Sequence, residues 1–301
     1  MSEASSPSAN RPYGLARVCR VWKLPRSTAQ LLRRRQSQQT PPVAPARRGP
    51  RRALTDEQIL AAIRTALQES PWVGEGHRKV WAHLRHRGVR TTRRRVLRIM
   101  REHDLLAPSR RGAPPGPRTH DGSIITDRPD SMWGIDATGT LTLEGQATIF
   151  ILVDHCTGEC LGIHAARRGT RFEALEVVRQ AVRTSFGAFA QDIAAPAGLK
   201  LRHDHGSQFV SNAFQEEITF LGIRSSPAFV RSPEGNGCAE RFIRTLKEQL
   251  LWLRRFDSVE QLVRALHDFR RNFNERWILQ RHDYLTPSQV RAKLLPLAQA
   301  A

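Results

Sequence analysis

SMWGIDATGTL, residues 131–141, reads as a β-strand with one chemical residue on a small polar face. Strand alternation sets Trp133, Ile135 and Ala137 on one side and Gly134, Asp136, Thr138 and Thr140 on the other. Asp136 thus projects where little else stands in the way of a ligand. Two further apolar strands are expected at 147–153 (ATIFILV) and 160–166 (CLGIHAA), and then a helix at about 171–186. A strand at 199–204 follows, then a helix at about 212–221, a strand at 223–229 and a long helix from about 238. Three successive strands followed by alternating helices and strands predict an α/β fold: a mixed five-stranded sheet with flanking helices.

Two more carboxylates fall at the ends of these elements. In LKLRHDHGSQF (199–209), Leu199, Leu201 and His203 share one face. Gly206 breaks the strand and leaves Asp204 at its C-terminal end, where α/β sites form. SPEGNGCAERFIRTLKEQL (232–250) reads as loop into helix, with Phe242, Ile243, Leu246 and Leu250 as its buried stripe. At about 100° per residue, Glu240, Arg244 and Lys247 lie within about 60° of one another on a neighbouring polar face. One carboxylate between two cations suits a metal ligand flanked by phosphate binders. Clustered carboxylates repel unless cations neutralise them. Oxygen donors in that number favour Mg²⁺ or Mn²⁺ over zinc. Two such ions can assist both the attacking and the leaving oxygen of an in-line phosphoryl displacement.

Upstream, the composition changes. The chain carries a net charge of +20, but residues 1–119 hold 26 basic and 7 acidic side chains, while residues 120–301 hold 22 and 21. That asymmetry predicts a polyanion-binding module ahead of a near-neutral domain. Residues 1–52 form a basic, partly disordered segment in which VCRVWKLPRSTAQLLRRR could hold a short helix pair. Residues 53–107 read as three helices: one capped by Thr55 and Gln58, one over His77–Arg87 burying Val80, Trp81 and Leu84, and one from Thr92 burying Val96, Leu97 and Met100. The last two, joined by a short Gly-containing turn, have helix-turn-helix spacing. Arg93, Arg94, Arg95, Arg98 and Arg101 line the third helix; a solvated arginine face or a phosphate-contacting face fits equally, and phosphate contact is the expectation. Residues 108–128 read as a Pro/Gly-rich linker, 129–256 as the α/β core and 257–301 as a helical tail.

Asp136 in W-G-I-D-A-T, with Asp204 and Glu240 separated by 35 intervening residues, resembles the DDE triad of the retroviral-integrase and insertion-sequence transposase superfamily. HDHGSQF and SPEGNGCAERFIRTLKEQ resemble the segments around the second and third acids. EGHRKVWAHLRHRGVRTTRRRVLRIMREHDLLAP resembles the helical domain ahead of the core in transposases of insertion-sequence family three. The likeness covers about residues 54–290. It implies an RNase H-like core with Asp136, Asp204 and Glu240 as catalytic, metal-binding residues and two Mg²⁺ (or Mn²⁺) ions. It also implies 3′-end cleavage and strand transfer of DNA without a covalent enzyme–DNA intermediate, in a homo-oligomer that pairs DNA ends. Arg93, Arg94, Arg95, Arg98, Arg244 and Lys247 are the candidate DNA contacts. This sequence departs from the family in the run SPEGNGCAE, where many relatives carry a longer one.

Other readings compete. His155, Cys156, Cys160 and His164 have a zinc-like spacing, but Thr157-Gly158-Glu159 has turn chemistry and favours a hairpin. A Ser-His-Asp hydrolase at 203–207 lacks a G-x-S-x-G elbow. Asp154, a fourth acid at a strand end, suits a turn. A DNA-binding regulator with an inactive core, or a nuclease of RNA–DNA hybrids, are the functional alternatives. No apolar run of roughly 20 residues and no signal-like start are present, which gives the expectation of a cytoplasmic, nucleoid-associated protein.

Overall fold

The computed structural model describes residues 4–37, 54–108, 124, 126–228 and 236–299. The chain divides into two compact units, residues 1–53 and 54–301. The first contains α1 (Leu15–Val21) and α2 (Arg26–Ser37), a helix pair with little burial beyond Cys19. The basic stretch from residue 38 to 53 and most of the Pro/Gly-rich stretch, 109–123 and 125, lie outside the described residues.

The second unit opens with three helices. In α3 (Asp56–Glu69), the Thr55 hydroxyl accepts from the Gln58 backbone and the Gln58 side chain accepts from the Thr55 backbone, closing the expected capping box. α4 (His77–His86) and α5 (Arg93–Glu102, capped by Thr92) pack Val80, Leu84, Val96, Ile99 and Met100 against Ile59 and Ile63. The turn between α4 and α5 passes through Gly88 at φ +79°, a conformation that costs glycine nothing. Trp81 and Leu97 are half-buried rather than interior. The Trp81 indole instead donates to the Thr91 carbonyl at 2.9 Å.

The five strands are β1 (Met132–Thr142), β2 (Gly145–Asp154), β3 (Cys160–Ala166), β4 (Lys200–His203) and β5 (Arg224–Pro227), in the order β3-β2-β1-β4-β5. β1–β2 and β2–β3 pair antiparallel; β1–β4 and β4–β5 pair parallel. The sheet is therefore mixed, as its element order predicts. α6 (Arg171–Phe186) makes the crossover from β3 to β4. α7 (Ser207–Val210) and α8 (Asn212–Phe220) precede β5, and α9 (Gly237–Leu246) follows it.

Period-two alternation sorts the side chains of β2 into two cores. Phe150 and Leu152 join Trp133, Ile135, Leu199 and Leu201 against α6 and α8. Ile149, Ile151 and Val153 face the opposite layer with Phe242, Ile243 and Leu246 of α9. Both faces are covered, so most of β2 is buried.

The stretch from 257 onward reads as a helical tail; in α10 (Val259–Arg276), Leu262, Leu266, Phe269 and Phe273 belong to the same cluster as β2 and α9. Phe242 meets Phe273 edge-on at 4.8 Å. Trp72, from the α3–α4 connection, packs edge-on against Phe269 and Trp277 at 5.7 and 5.1 Å. Gln249 exchanges two hydrogen bonds with the backbone of Val73. The helical domain is thus fastened to the core through α10 and the turn that follows α9. In α11 (Pro287–Gln299), Arg291 forms ion pairs with the buried carboxylates of Asp130 and Glu159. No described helix is long and apolar enough to cross a membrane.

Candidate active site

Asp136 sits mid-strand in β1, opposite Ile151 of β2, and its carboxylate accepts the Ala137 backbone N–H at 2.8 Å. Burial pushes its pKa up to about 6; the neighbouring carboxylates of Asp204 and Glu240 push the same way, against the Ala137 hydrogen bond and the Lys247 ammonium. Asp204 stands one residue past β4 and is exposed. Its Oδ1 accepts the Gly206 N–H at 2.9 Å, so the glycine that ends the strand also orients the acid. Glu240 lies exposed in the first turn of α9. The charges of Asp204, Glu240 and Lys247 all act on Asp136.

The start of α9 is held in place by a contact that the sequence does not advertise. Asn236, buried just ahead of the helix, donates from Nδ2 to the Ile135 carbonyl at 2.9 Å, one residue from Asp136. Gly134 makes room for this. A Cβ there would stand 2.6 Å from Asn236 Oδ1 and 2.8 Å from His155 Nε2, both backed by packed structure. A glycine inside a strand often marks such a close approach, and Gly134 was the available signal.

The buried stripe of α9 runs as its periodicity predicts, through Phe242, Ile243 and Leu246, with Arg244 exposed; in the turn that follows, Leu250 is buried and Lys247 half-buried. The arginines of α5 divide. Arg94 is exposed, and Arg93 is exposed with its guanidinium 4.5 Å from the Trp81 ring centre. Arg95 donates to Asp56 Oδ1 at 2.6 Å and to the Leu54 carbonyl at 2.8 Å. Arg98 bridges Asp56 and Glu102. Hydrogen bonds from Arg98 and Arg95 hold the Asp56 carboxyl below the ordinary range. Arg95 and Arg98 thus spend their donors on tying α5 to the start of α3, which the expectation of a uniform phosphate-contacting face did not include.

The competing motifs also resolve by contact. HCTGECLGIH forms the β2–β3 connection and β3. His155 Nδ1 lies 2.9 Å from the Ile124 carbonyl, whereas His164 pairs with Glu173 at 2.6 Å on the far side of that connection. Asp154 is a turn residue: its Oδ1 accepts from the Thr157 N–H and hydroxyl, and its Oδ2 from the Asp130 N–H. His203 Nδ1 lies 2.6 Å from the Asp204 carbonyl and Nε2 2.9 Å from the Ser225 hydroxyl, so it buttresses the strand end.

Among the described residues, no three His, Cys, Asp or Glu side chains are drawn tightly enough to form a complete metal shell. The donor set nevertheless fits a divalent cation. It is all oxygen, and Asp136 carries the electrostatic cost of facing two other carboxylates, a cost that a cation would relieve.

The chain is similar to known proteins over most of its length. Residues 54–113 match the model of an HTH-like domain, and residues 126–233 and 221–287 match two models of the integrase core domain. The chain is 28% identical over 248 residues to the transposase InsD of insertion element IS2 from Escherichia coli, covering 80% of this chain and 78% of that one. It is 28% identical over 255 residues to an uncharacterized 48.2 kDa protein of insertion element IS2A, also from Escherichia coli, of which it spans only 57%. Among solved structures, it resembles a simian T-cell lymphotropic virus intasome chain (TM-score 0.47, 21% identity, 70% of each chain). It also resembles the catalytic core of HTLV-2 integrase in complex with magnesium (TM-score 0.41, 20% identity, 55% of this chain and 98% of that one). The integrase-core matches together run from residue 126 to residue 287, more than half of the chain, and follow an HTH-like match, so the chain belongs to the integrase-core family.

Proposed function

We propose that this protein cleaves DNA at 3′ ends and joins those ends to a target strand, with Asp136, Asp204 and Glu240 as its catalytic carboxylates. The observation that carries the reading is the placement of the acids on an integrase-core sheet: Asp136 on β1, Asp204 just past the adjacent parallel strand β4, and Glu240 in the first turn of α9, which Asn236 ties to β1. The three carboxylates would hold Mg²⁺ or Mn²⁺, two ions in the complete site. Bound there, the ions would supply charge stabilisation for the attacking and leaving oxygens of an in-line displacement.

The remaining work belongs to the protein. β1 and β4 run parallel, side by side, so Asp136 and Asp204 are carried on one rigid platform. Asn236 anchors α9 to β1 and thereby sets Glu240 against that platform. Arg244 and Lys247, on the Glu240 side of α9, bind the phosphates flanking the scissile bond and keep the strand in line. The exposed Arg93 and Arg94 of the helical domain supply sequence-independent phosphate contacts farther along the DNA. DNA ends and target are the substrates. Pairing two ends requires more than one copy of the chain, and the nucleoid is where both are found.

A regulator with an inactive core would keep the helical domain and lose the acids; the presence of Asp136, Asp204 and Glu240, with the last two acting on the first, favours the enzyme. The test is metal-dependent cleavage and joining of DNA by the wild type and by Glu240→Gln. Joining by the wild type and its loss in the variant is the expected result. Undiminished joining by Glu240→Gln would remove the triad.

A further inference from the structure

The helix that carries Glu240 does not remain a regular α-helix. After α9 it continues as a π-turn over Lys247–Leu251, closed by the Trp252 N–H on the Lys247 carbonyl at 2.9 Å. Such single turns accommodate one extra residue, and they gather at functional sites. The consequence follows from phase. In an uninterrupted helix at about 100° per residue, Leu251 would fall about 20° from Glu240, facing solvent, and Trp252 about 120° away. One inserted residue sets the phase back by about 100°. Leu251 then falls beside Ile243 on the buried stripe, and Trp252 falls about 20° from Glu240, on the same face as Arg244 and Lys247. The burial pattern agrees: Leu250 and Leu251 are buried, and Trp252 is 69% exposed.

An indole that exposed, displayed in line with a carboxylate and two cations, has no folding role to explain it. Beyond Leu253, which is also exposed, come Arg254 and Arg255, both exposed. Aromatic rings among cations that track a backbone are the arrangement that binds unpaired nucleotides, because every base offers a face to stack on. We propose that Trp252 is a base-stacking residue: it receives an unpaired base of the DNA strand where that strand leaves the duplex beside the carboxylates, while Arg244, Lys247, Arg254 and Arg255 hold the adjoining phosphates. The inference rests on the DNA-joining reading above. The charge of the face selects a nucleic acid over an apolar partner, and a second copy of this chain is the occupant that the test must exclude.

The test uses the full chain and fluorescein-labelled DNA duplexes of one sequence, blunt or with a short 3′ thymine overhang, read by anisotropy. Trp252→Ala should weaken binding of the overhang duplex by about 5- to 100-fold and leave the blunt duplex within about 2-fold. Trp252→Phe, which keeps a ring, should stay within about 3-fold of wild type on both. Abasic sites in the overhang should reproduce the alanine loss in the wild type and add nothing to it in Trp252→Ala. Equal losses on both duplexes, or no loss on either, would overturn the proposal. So would a change of oligomeric state in Trp252→Ala by sedimentation, which would mark the ring as a contact between copies. The two readings fail separately: a wild type that joins no DNA refutes the function, whereas a wild type that joins DNA with no overhang preference lost in Trp252→Ala refutes the stacking residue alone.

Discussion

Replacing Asp136 by asparagine should stabilise the metal-free protein while it destroys the activity. Asp136 has a folded-state pKa of about 6 against a reference of 3.8, so it is the native state that binds the proton more tightly. Between those values the native state holds more protons than the unfolded chain, and stability falls as pH rises. Above about pH 6 the full cost is present, about two pKa units, or up to about 3 kcal/mol. Solvent around the exposed Asp204 and Glu240 screens part of the repulsion, which makes that figure an upper limit. Asparagine keeps an oxygen for the Ala137 N–H and removes the charge. In EDTA at pH 7.5, Asp136→Asn should therefore melt about 5–10 °C above wild type, for a unit of this size. At pH 5 the gap should shrink to about half, because the wild-type acid is by then mostly protonated. Adding Mg²⁺ should raise the melting temperature of the wild type more than that of the variant. Thermal melts at the two pH values, with and without metal, decide it. A variant no more stable than wild type at pH 7.5, or a gap that does not narrow on acidification, would refute the reasoning.

Other consequences follow from the same contacts. Gly134→Ala puts a methyl against Asn236 Oδ1 and His155 Nε2, and should cost about 1–3 kcal/mol in a denaturant melt and depress joining by displacing the start of α9. Arg94→Gln should leave the melt unchanged and flatten the salt dependence of DNA binding by about 0.9 in the log–log slope, the share of one phosphate contact. Arg95→Gln should instead lower stability by about 1–3 kcal/mol, since its donors serve Asp56 and the Leu54 carbonyl; if the two variants exchanged these signatures, the division of the arginine face would be wrong.

What the sequence showed and what it hid separate along one physical line. Features set by local period were legible. Alternation placed Asp136 on the small face of β1, the glycine at 206 placed Asp204 at a strand end, and the 3.6-residue repeat gave the buried stripe of α9. Features set by contacts between distant segments were not. Arg95 and Asp56 are 39 residues apart, and nothing in a row of arginines says which of them a distant acid will claim. Asn236 finds the Ile135 carbonyl across 101 residues. α10 carries an ordinary amphipathic pattern; that its stripe completes the β2–α9 core depends on where the chain returns. Trp252 is the sharpest case, because a straight helical wheel turns it away from the catalytic face and only the extra residue of the π-turn brings it back.

The central claim is that Asp136, Asp204 and Glu240 act as one unit, and strand-joining rates with Mg²⁺ for Asp136→Asn, Asp204→Asn, Glu240→Gln and the triple variant test it most directly. Residues that work only together lose nearly everything when any one is removed. Each single variant should fall below about one-thousandth of the wild-type rate, and the triple should fall no further. A single variant that retains substantial joining, or a triple whose loss is the product of three independent losses, would contradict the account.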